Sequence, residues 1–194
     1  MNPDAGITPF IFGASLVVGV AYLVLIYNSL VRLKNNVERA FANIEILLKQ
    51  RQTELPQLVT VCKAYMAHEQ AVLVGITQAR SQVQQALERR SVPALGSAET
   101  VLRDSLQNLF VRVEAYPELK ANENFLALQE RIGVLEDTIA DRREIYNESV
   151  RLNNTRIQQF PDTLIARPFK FTEFDYLRFA ASDLQSVSLA ALRG

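Results

Sequence analysis

Tryptophan is absent from this chain, and cysteine and histidine occur once each, as Cys62 and His68. A lone cysteine forms no internal disulfide, which suits a reducing compartment. One His and one Cys cannot together supply the N and S ligands of a tetrahedral zinc site. A single His with no supporting motif builds neither a Ser-His-Asp nor a Cys-His arrangement. The glycines form no phosphate-cradling loop, there is no low-complexity tract, and almost nothing alternates as a strand does. Lys plus Arg equals Asp plus Glu at 21 each, so no global field favours nucleic acid or an acidic partner. These absences point to a helical non-enzyme that needs no cofactor and binds no nucleic acid.

A local absence says more. From Ala5 to Val31 there is no Asp, Glu, Lys, Arg or His, and Phe10 to Tyr27 is almost wholly apolar. At ~1.5 Å per residue this run can cross a hydrocarbon layer ~30 Å thick. A cleaved signal peptide would need a basic N-terminal region and a small-residue cleavage site, whereas MNPDAGITP has no Lys or Arg and carries Asp4. A buried core helix is the other alternative. Basic residues follow the run, at Arg32, Lys34, Arg39, Lys49 and Arg51, and none precedes it. By the positive-inside rule the N-terminus is expected outside and the bulk of the chain in the cytoplasm.

No Pro or Gly separates the run from NSLVRLKNNVERAF, so one helix is expected to leave the bilayer and continue into the body. Its apolar stripe reads Leu30, Leu33, Val37, Ala40, Ile44, Leu47. A turn is expected near KQRQTELP, with Thr53 as cap and Pro56 in the next helix's first turn, a kink being the alternative. The second helix carries Leu55, Leu58, Cys62, Tyr65, Glu69, Val72, Ile76, Ala79, Val83 and Ala86, ending before Pro93 and Gly96. Ser97 caps the expected third helix, and Asn122 the fourth, which runs to Phe160-Pro161. The predicted fold is all-α: a single transmembrane helix continuing into an antiparallel four-helix bundle. The expected divisions are 1–27 (short outside N-terminus and membrane helix), 28–166 (bundle) and 167–194 (tail).

That tail interleaves Phe169, Phe171, Phe174, Tyr176 and Phe179 with Arg167, Lys170 and Arg178. An up-down-up-down order would return it to the bilayer, where Tyr27 and these aromatics suit the interface. A lid on the bundle's apolar end explains the same composition.

Glu69 and Arg142 fall on the stripes of the second and fourth helices, so a buried pair of Glu69 with Arg142 or Arg143 is expected; an unpaired buried charge would be costly. The alternative is a small rotation that turns both to water. Asn28, Asn35 and Asn43 recur at about heptad spacing, and Asn147, Asn153 and Asn154 cluster late in the chain. YNSLVRLKNN at 27–36 and YNESVRLNNT at 146–155 echo each other. Asn35, Asn43 and Asn154 could fix helix register, meet a second protomer or face water. Glu69, Glu144 and Glu148 are a conceivable carboxylate set for a metal, and the residue before Glu69, His68, points about 100° away from it on a helix.

The ordered segments YNSLVRLKNNVERAFANIEILLKQR, LPQLV, KAYMAHE, AYPELKANENFLALQERI and YNESVRLNNTRIQQFPDTLIA resemble the LemA family. The resemblance covers about residues 27 to 169, follows the membrane segment the family usually carries, and implies a four-helix bundle. ELPQL stands where Ile-Pro-Asn-Leu is common. The family's magnetosome member MamQ implies a link to bacterial membrane organisation, and the resemblance supplies no catalytic residues. The expected function is a scaffold or adaptor in the bacterial cytoplasmic membrane that self-associates and contacts lipid or recruits membrane partners. The alternatives are a regulatory subunit of a membrane protease or signalling protein and, third, a carboxylate-metal enzyme.

Overall fold

The structure, a computed structural model, describes residues 4–179, with side chains described at Phe10 and from Phe12 onward. Residues 180–194 of the expected tail, and the first three residues, lie outside the described residues. The described residues are helical or irregular, with no strand. Six helices follow in order: α1 (Asp4–Tyr65), α2 (Gln70–Glu88), α3 (Val92–Val113), α4 (Pro117–Lys120), α5 (Glu123–Gln158) and α6 (Thr163–Ala166). The chain divides into two compact units: residues up to Arg39 with Glu148–Phe174, and Ala40–Asn147 with Asp175 onward. Both α1 and α5 contribute to each.

In the first unit, α1 exposes every side chain from Phe12 to Leu25, and Ile26 is the first to be buried. Among the described residues α1 is the one helix long and apolar enough to cross a membrane. Burial then recurs at Leu30 and Val37 and, on α5, at Val150, Asn153, Asn154 and Ile157, which is the 3-4 spacing of one helix face.

In the second unit the core stripe of α1 is Ile44, Leu48, Leu55, Leu58 and Cys62, all fully enclosed, and Met66 just beyond the helix is enclosed with them. Ile76 and Val83 of α2, Leu102 and Leu109 of α3, and Phe125, Ile132 and Ile139 of α5 are buried in the same unit.

The turn expected near residues 49–56 does not form there. Thr53 Oγ donates to the Gln50 carbonyl 2.7 Å away and caps nothing. Pro56 removes the hydrogen bond that the Gln52 carbonyl would accept inside a helix. That carbonyl instead accepts from Arg80 Nε of α2 at 3.1 Å, while Gln52 Nε2 donates to the Arg80 carbonyl at 3.3 Å. The freed group is thus satisfied from a neighbouring helix, and α1 continues to Tyr65. The chain breaks instead at Met66–Glu69, where neither Gly nor Pro marks it, and Glu69 becomes the N-cap of α2.

The start of the next helix also differs from the sequence reading. Ser91 Oγ accepts from Ala94 N and Pro93 occupies the first turn of α3, so Pro93 opens this helix and Gly96 lies inside it. Asn122 caps α5 as expected, its Oδ1 accepting from Phe125 N at 3.0 Å.

Candidate functional site

The first unit gathers its chemistry where the apolar run of α1 ends. Ile26 and Leu30 form a cluster with Ile157 of α5 and Ala166 of α6, against which Ile165 and Phe171 pack. Tyr27 meets Phe169 edge-on with ring centroids 5.0 Å apart, and Phe171 at 5.9 Å. Tyr27, Phe169 and Phe171, all assigned to a membrane interface, are therefore brought together. Arg156 of α5 forms an ion pair with buried Asp162, whose carbonyl also accepts from Ile165 N and Ala166 N at the start of α6.

Residues 171–179 form an irregular strap. Within the first unit, Asn154 Nδ2 donates to the Phe174 carbonyl at 2.9 Å and Asn154 Oδ1 accepts from Phe174 N at 3.0 Å. An asparagine amide offers the same donor and acceptor as a strand edge. Asn153 Nδ2 donates to the Thr172 carbonyl at 3.4 Å. The buried asparagines of α5 therefore bind the main chain of the strap, a partner that helix periodicity does not reveal. Asn35 is half-buried on α1.

Within the second unit, Asn147 repeats the device on Leu177, donating at 3.1 Å and accepting at 2.9 Å. Tyr146 Oη donates to the Asp175 carbonyl at 2.8 Å. Burial, with Asp175 nearby, pushes the Tyr146 phenol up to about 12, so it stays a donor. The Phe179 ring is covered by the guanidinium groups of Arg103 at 5.0 Å and Arg143 at 4.4 Å. Arg178 stacks on Tyr176 at 5.5 Å. Gly96 of α3 lets the strap pass: a Cβ there would lie 2.1 Å from the Arg178 carbonyl oxygen.

The buried charge of the second unit is Arg51, one of the basic residues that follow the apolar run in sequence. Its side chain is 0% exposed. One guanidinium nitrogen donates to Glu99 of α3 at 2.5 Å and another to Glu136 of α5. Arg103 Nε lies 3.4 Å from the other oxygen of Glu136. Burial and the two carboxylates act oppositely on Arg51, and the pair holds it charged, above the ordinary guanidinium range. Burial pushes the Glu99 carboxyl up, against the downward pull of Arg51.

The expected pair of Glu69 with Arg142 or Arg143 is replaced by other contacts. Glu69 is half-buried and faces Arg112 of α3 at 3.7 Å. Because the chain turns at Met66–Glu69, Glu69 leaves the stripe on which an uninterrupted helix would have placed it. Arg142 lines a groove of about 240 Å³ with Asn43, Ile46, Leu47 and Thr138, and Arg143 covers Phe179.

Reactive chemistry is sparse. Burial pushes the Cys62 thiol up to about 11, so at neutral pH it stays protonated and a poor nucleophile. Among the described residues no three His, Cys, Asp or Glu side chains could hold a metal ion together, so the Glu69, Glu144 and Glu148 set is not assembled.

A family model described as the LemA family matches residues 40–189. This chain belongs to the LemA family. It is 28% identical to Protein LemA of Metamycoplasma hominis over 183 residues, covering 93% of this chain and 81% of that relative. Magnetosome protein MamQ 2 of Paramagnetospirillum magneticum is 21% identical, with 84% of this chain and 69% of the relative covered. Magnetosome protein MamQ of Magnetospirillum gryphiswaldense is 22% identical, with 84% and 68% covered. The matched region contains the Arg51 network and the strap-holding asparagines Asn147, Asn153 and Asn154, and excludes the apolar run.

Proposed function

We propose that this chain is a membrane-anchored, non-enzymatic helical scaffold or adaptor of the LemA type. The observation that carries the reading is α1 itself, whose exposed apolar stretch Phe12–Leu25 runs without a break into the enclosed stripe Ile44–Cys62. Such a stretch is unfavourable in water and matched to lipid. The four long helices α1, α2, α3 and α5 serve as an antiparallel bundle held at the surface of a bacterial cytoplasmic membrane. The chain crosses once with its N-terminus outside; Arg32, Lys34, Arg39 and Lys49 support that orientation, Arg51 being buried in the network. The bacterial magnetosome proteins among the relatives support this setting.

Copies held alike in one bilayer meet through their sides. The groove beside Asn43 and Arg142 and the exposed Ile46, Val134 and Ile145 give the second unit an apolar face for a second copy. A regulatory subunit would use the same face for a membrane protease or signalling partner. Purification in mild detergent with size measurement separates the two. A scaffold runs as a large homo-oligomer that Ile46→Glu dissociates, whereas a small species that grows only with a co-purified partner overturns self-association. For topology, a Cys introduced in place of Asn2 should react with an impermeant reagent in intact cells, and one in place of Ser186 should not. The reverse labelling overturns the orientation.

A further inference from the structure

We propose that the turn of residues 160–169 is a second lipid contact, inserting Phe160, Leu164 and Phe169 into the interfacial layer of the leaflet that α1 leaves. The proposal rests on reading the apolar run as a membrane span. It concerns residues that the span does not include, two of which carry no expectation from the sequence.

The turn has two faces. Ile165 and Ala166 pack inward, with Phe171 just beyond the turn, onto Ile26, Leu30 and Ile157. Phe160, Leu164 and Phe169 point away and are 80%, 58% and 59% exposed. Three large apolar side chains within one short turn, turned outward while their neighbours fill a core, form a surface that water disfavours.

Position selects lipid as the occupant. Phe10 to Tyr27, at ~1.5 Å per residue, spans roughly 27 Å, so Tyr27 stands where a hydrocarbon layer ~30 Å thick gives way to headgroups. The Phe169 ring lies 5.0 Å from the Tyr27 ring, which sets the turn at that same depth. Aromatic side chains are favoured in this layer.

Charge agrees. The one acid of the turn, Asp162, is withdrawn into its ion pair with Arg156 and is 4% exposed. Arg167 and Lys170 at the end of the turn are exposed, so its outward charge is positive and complements anionic headgroups. Phe174 and Tyr176 of the strap are half-buried. The lipid-facing aromatics are thus those before the strap.

The chain contains no tryptophan, so a single introduced Trp reports its own surroundings. Full-length Phe160→Trp and Leu164→Trp proteins are reconstituted in phosphatidylcholine–phosphatidylglycerol vesicles carrying bromine either high or deep on the acyl chains. Leu16→Trp reports the span, and Ile46→Trp serves as an exposed control on the second unit. Insertion of ~5–10 Å into the headgroup boundary should cost the Trp at 160 or 164 roughly half its emission or more with high bromines, and less with deep ones. Leu16→Trp should show the opposite depth preference, and Ile46→Trp no quenching. If Leu16→Trp is quenched while positions 160 and 164 match Ile46→Trp, the turn does not enter lipid and the proposal falls while the span stands. Blue-shifted but unquenched emission at 160 and 164 assigns the face to a protein partner and likewise overturns it. If Leu16→Trp is unquenched the span fails, and quenching at 160 and 164 would then leave the turn as the membrane contact in its own right.

Discussion

Two stretches of the same helix have inverted surfaces. From Phe12 to Leu25 α1 exposes apolar side chains and carries no charge; from Ile44 to Cys62 it encloses its apolar stripe and buries the guanidinium of Arg51 within it. Helix propensity does not distinguish them, since both are continuous α-helix. The difference lies in what surrounds each. Among the described residues the first has no neighbour that buries its side chains, and lipid is the medium that makes such exposure favourable. The second has carboxylates on two other helices, Glu99 and Glu136, which make a buried cation tolerable.

The sharpest way to break this comparison is to remove the buried cation. Arg51→Ala leaves the buried Glu99 and the partly buried Glu136 without their main partner and should destabilise the second unit by ~3–5 kcal/mol. Leu16→Ala, on the exposed stretch, should move the same denaturation midpoint by no more than ~0.5 kcal/mol. Thermal or urea unfolding of the detergent-solubilised full chain provides both numbers. Equal effects would mean that Arg51 is solvated and that the two stretches do not differ as described.

Gly96→Ala tests the strap that closes the second unit. A Cβ 2.1 Å from the Arg178 carbonyl oxygen cannot be accommodated without moving main chain. The expected loss is ~1–3 kcal/mol, the usual cost of forcing a group into a filled site. Trypsin should also cut after Arg178 faster than in the unchanged protein. A wild-type cleavage rate would show that the strap does not cross α3 at this glycine.

Glu99 adds a pH dependence to the same network. Its folded carboxyl is raised above the ordinary value, chiefly by burial, so the folded state binds that proton more tightly than the unfolded chain. The stabilisation is fully present below the unfolded carboxylate value and is lost as pH rises through the raised one. Stability should therefore decline on that upward passage. Glu99→Gln should flatten the decline, and Arg51→Ala should steepen it because the opposing pull is gone. An unchanged slope in Glu99→Gln would assign the pH dependence to another group.

Much of the architecture could be read from the sequence, and the failures have local causes. The apolar run, the absence of strands, the helix after Asn122 and the family follow from charge, period, capping and motif order. The stripe of α1 was followed through Leu47, which lies half-buried on the groove, while the core takes Leu48. That shift of one residue moved Arg51 off the inner face, although Leu48, Arg51 and Leu55 keep the 3-4 spacing. Glu99 likewise stands between Leu95 and Leu102 in the buried stripe of α3, a polar residue in phase that the sequence does offer as a signal. The asparagine–strap contacts were not legible in this way, because the partner is main chain and carries no side-chain code.

The smallest effect concerns the link between α2 and α3. Arg90 adopts φ 50° directly after the C-cap Arg89, with Ser91 N donating to the Ala86 carbonyl at 3.2 Å and Arg90 N to the Leu87 carbonyl at 3.0 Å. This pair of bonds closes a helix with a left-handed residue, the position where glycine is favoured because it has no Cβ to collide with the following carbonyl. Arginine holds the conformation at a local cost, since neither Pro nor Gly stands between Glu88 and Ser91 to set the turn. Arg90→Gly should relieve it and raise stability by up to ~1 kcal/mol, less whatever the added freedom of glycine contributes to the unfolded chain. The gain should appear in the midpoint of the second unit and leave quenching at a Trp in place of Leu16 unchanged. A loss of stability would mean that the arginine side chain holds the turn through a contact worth more than the strain.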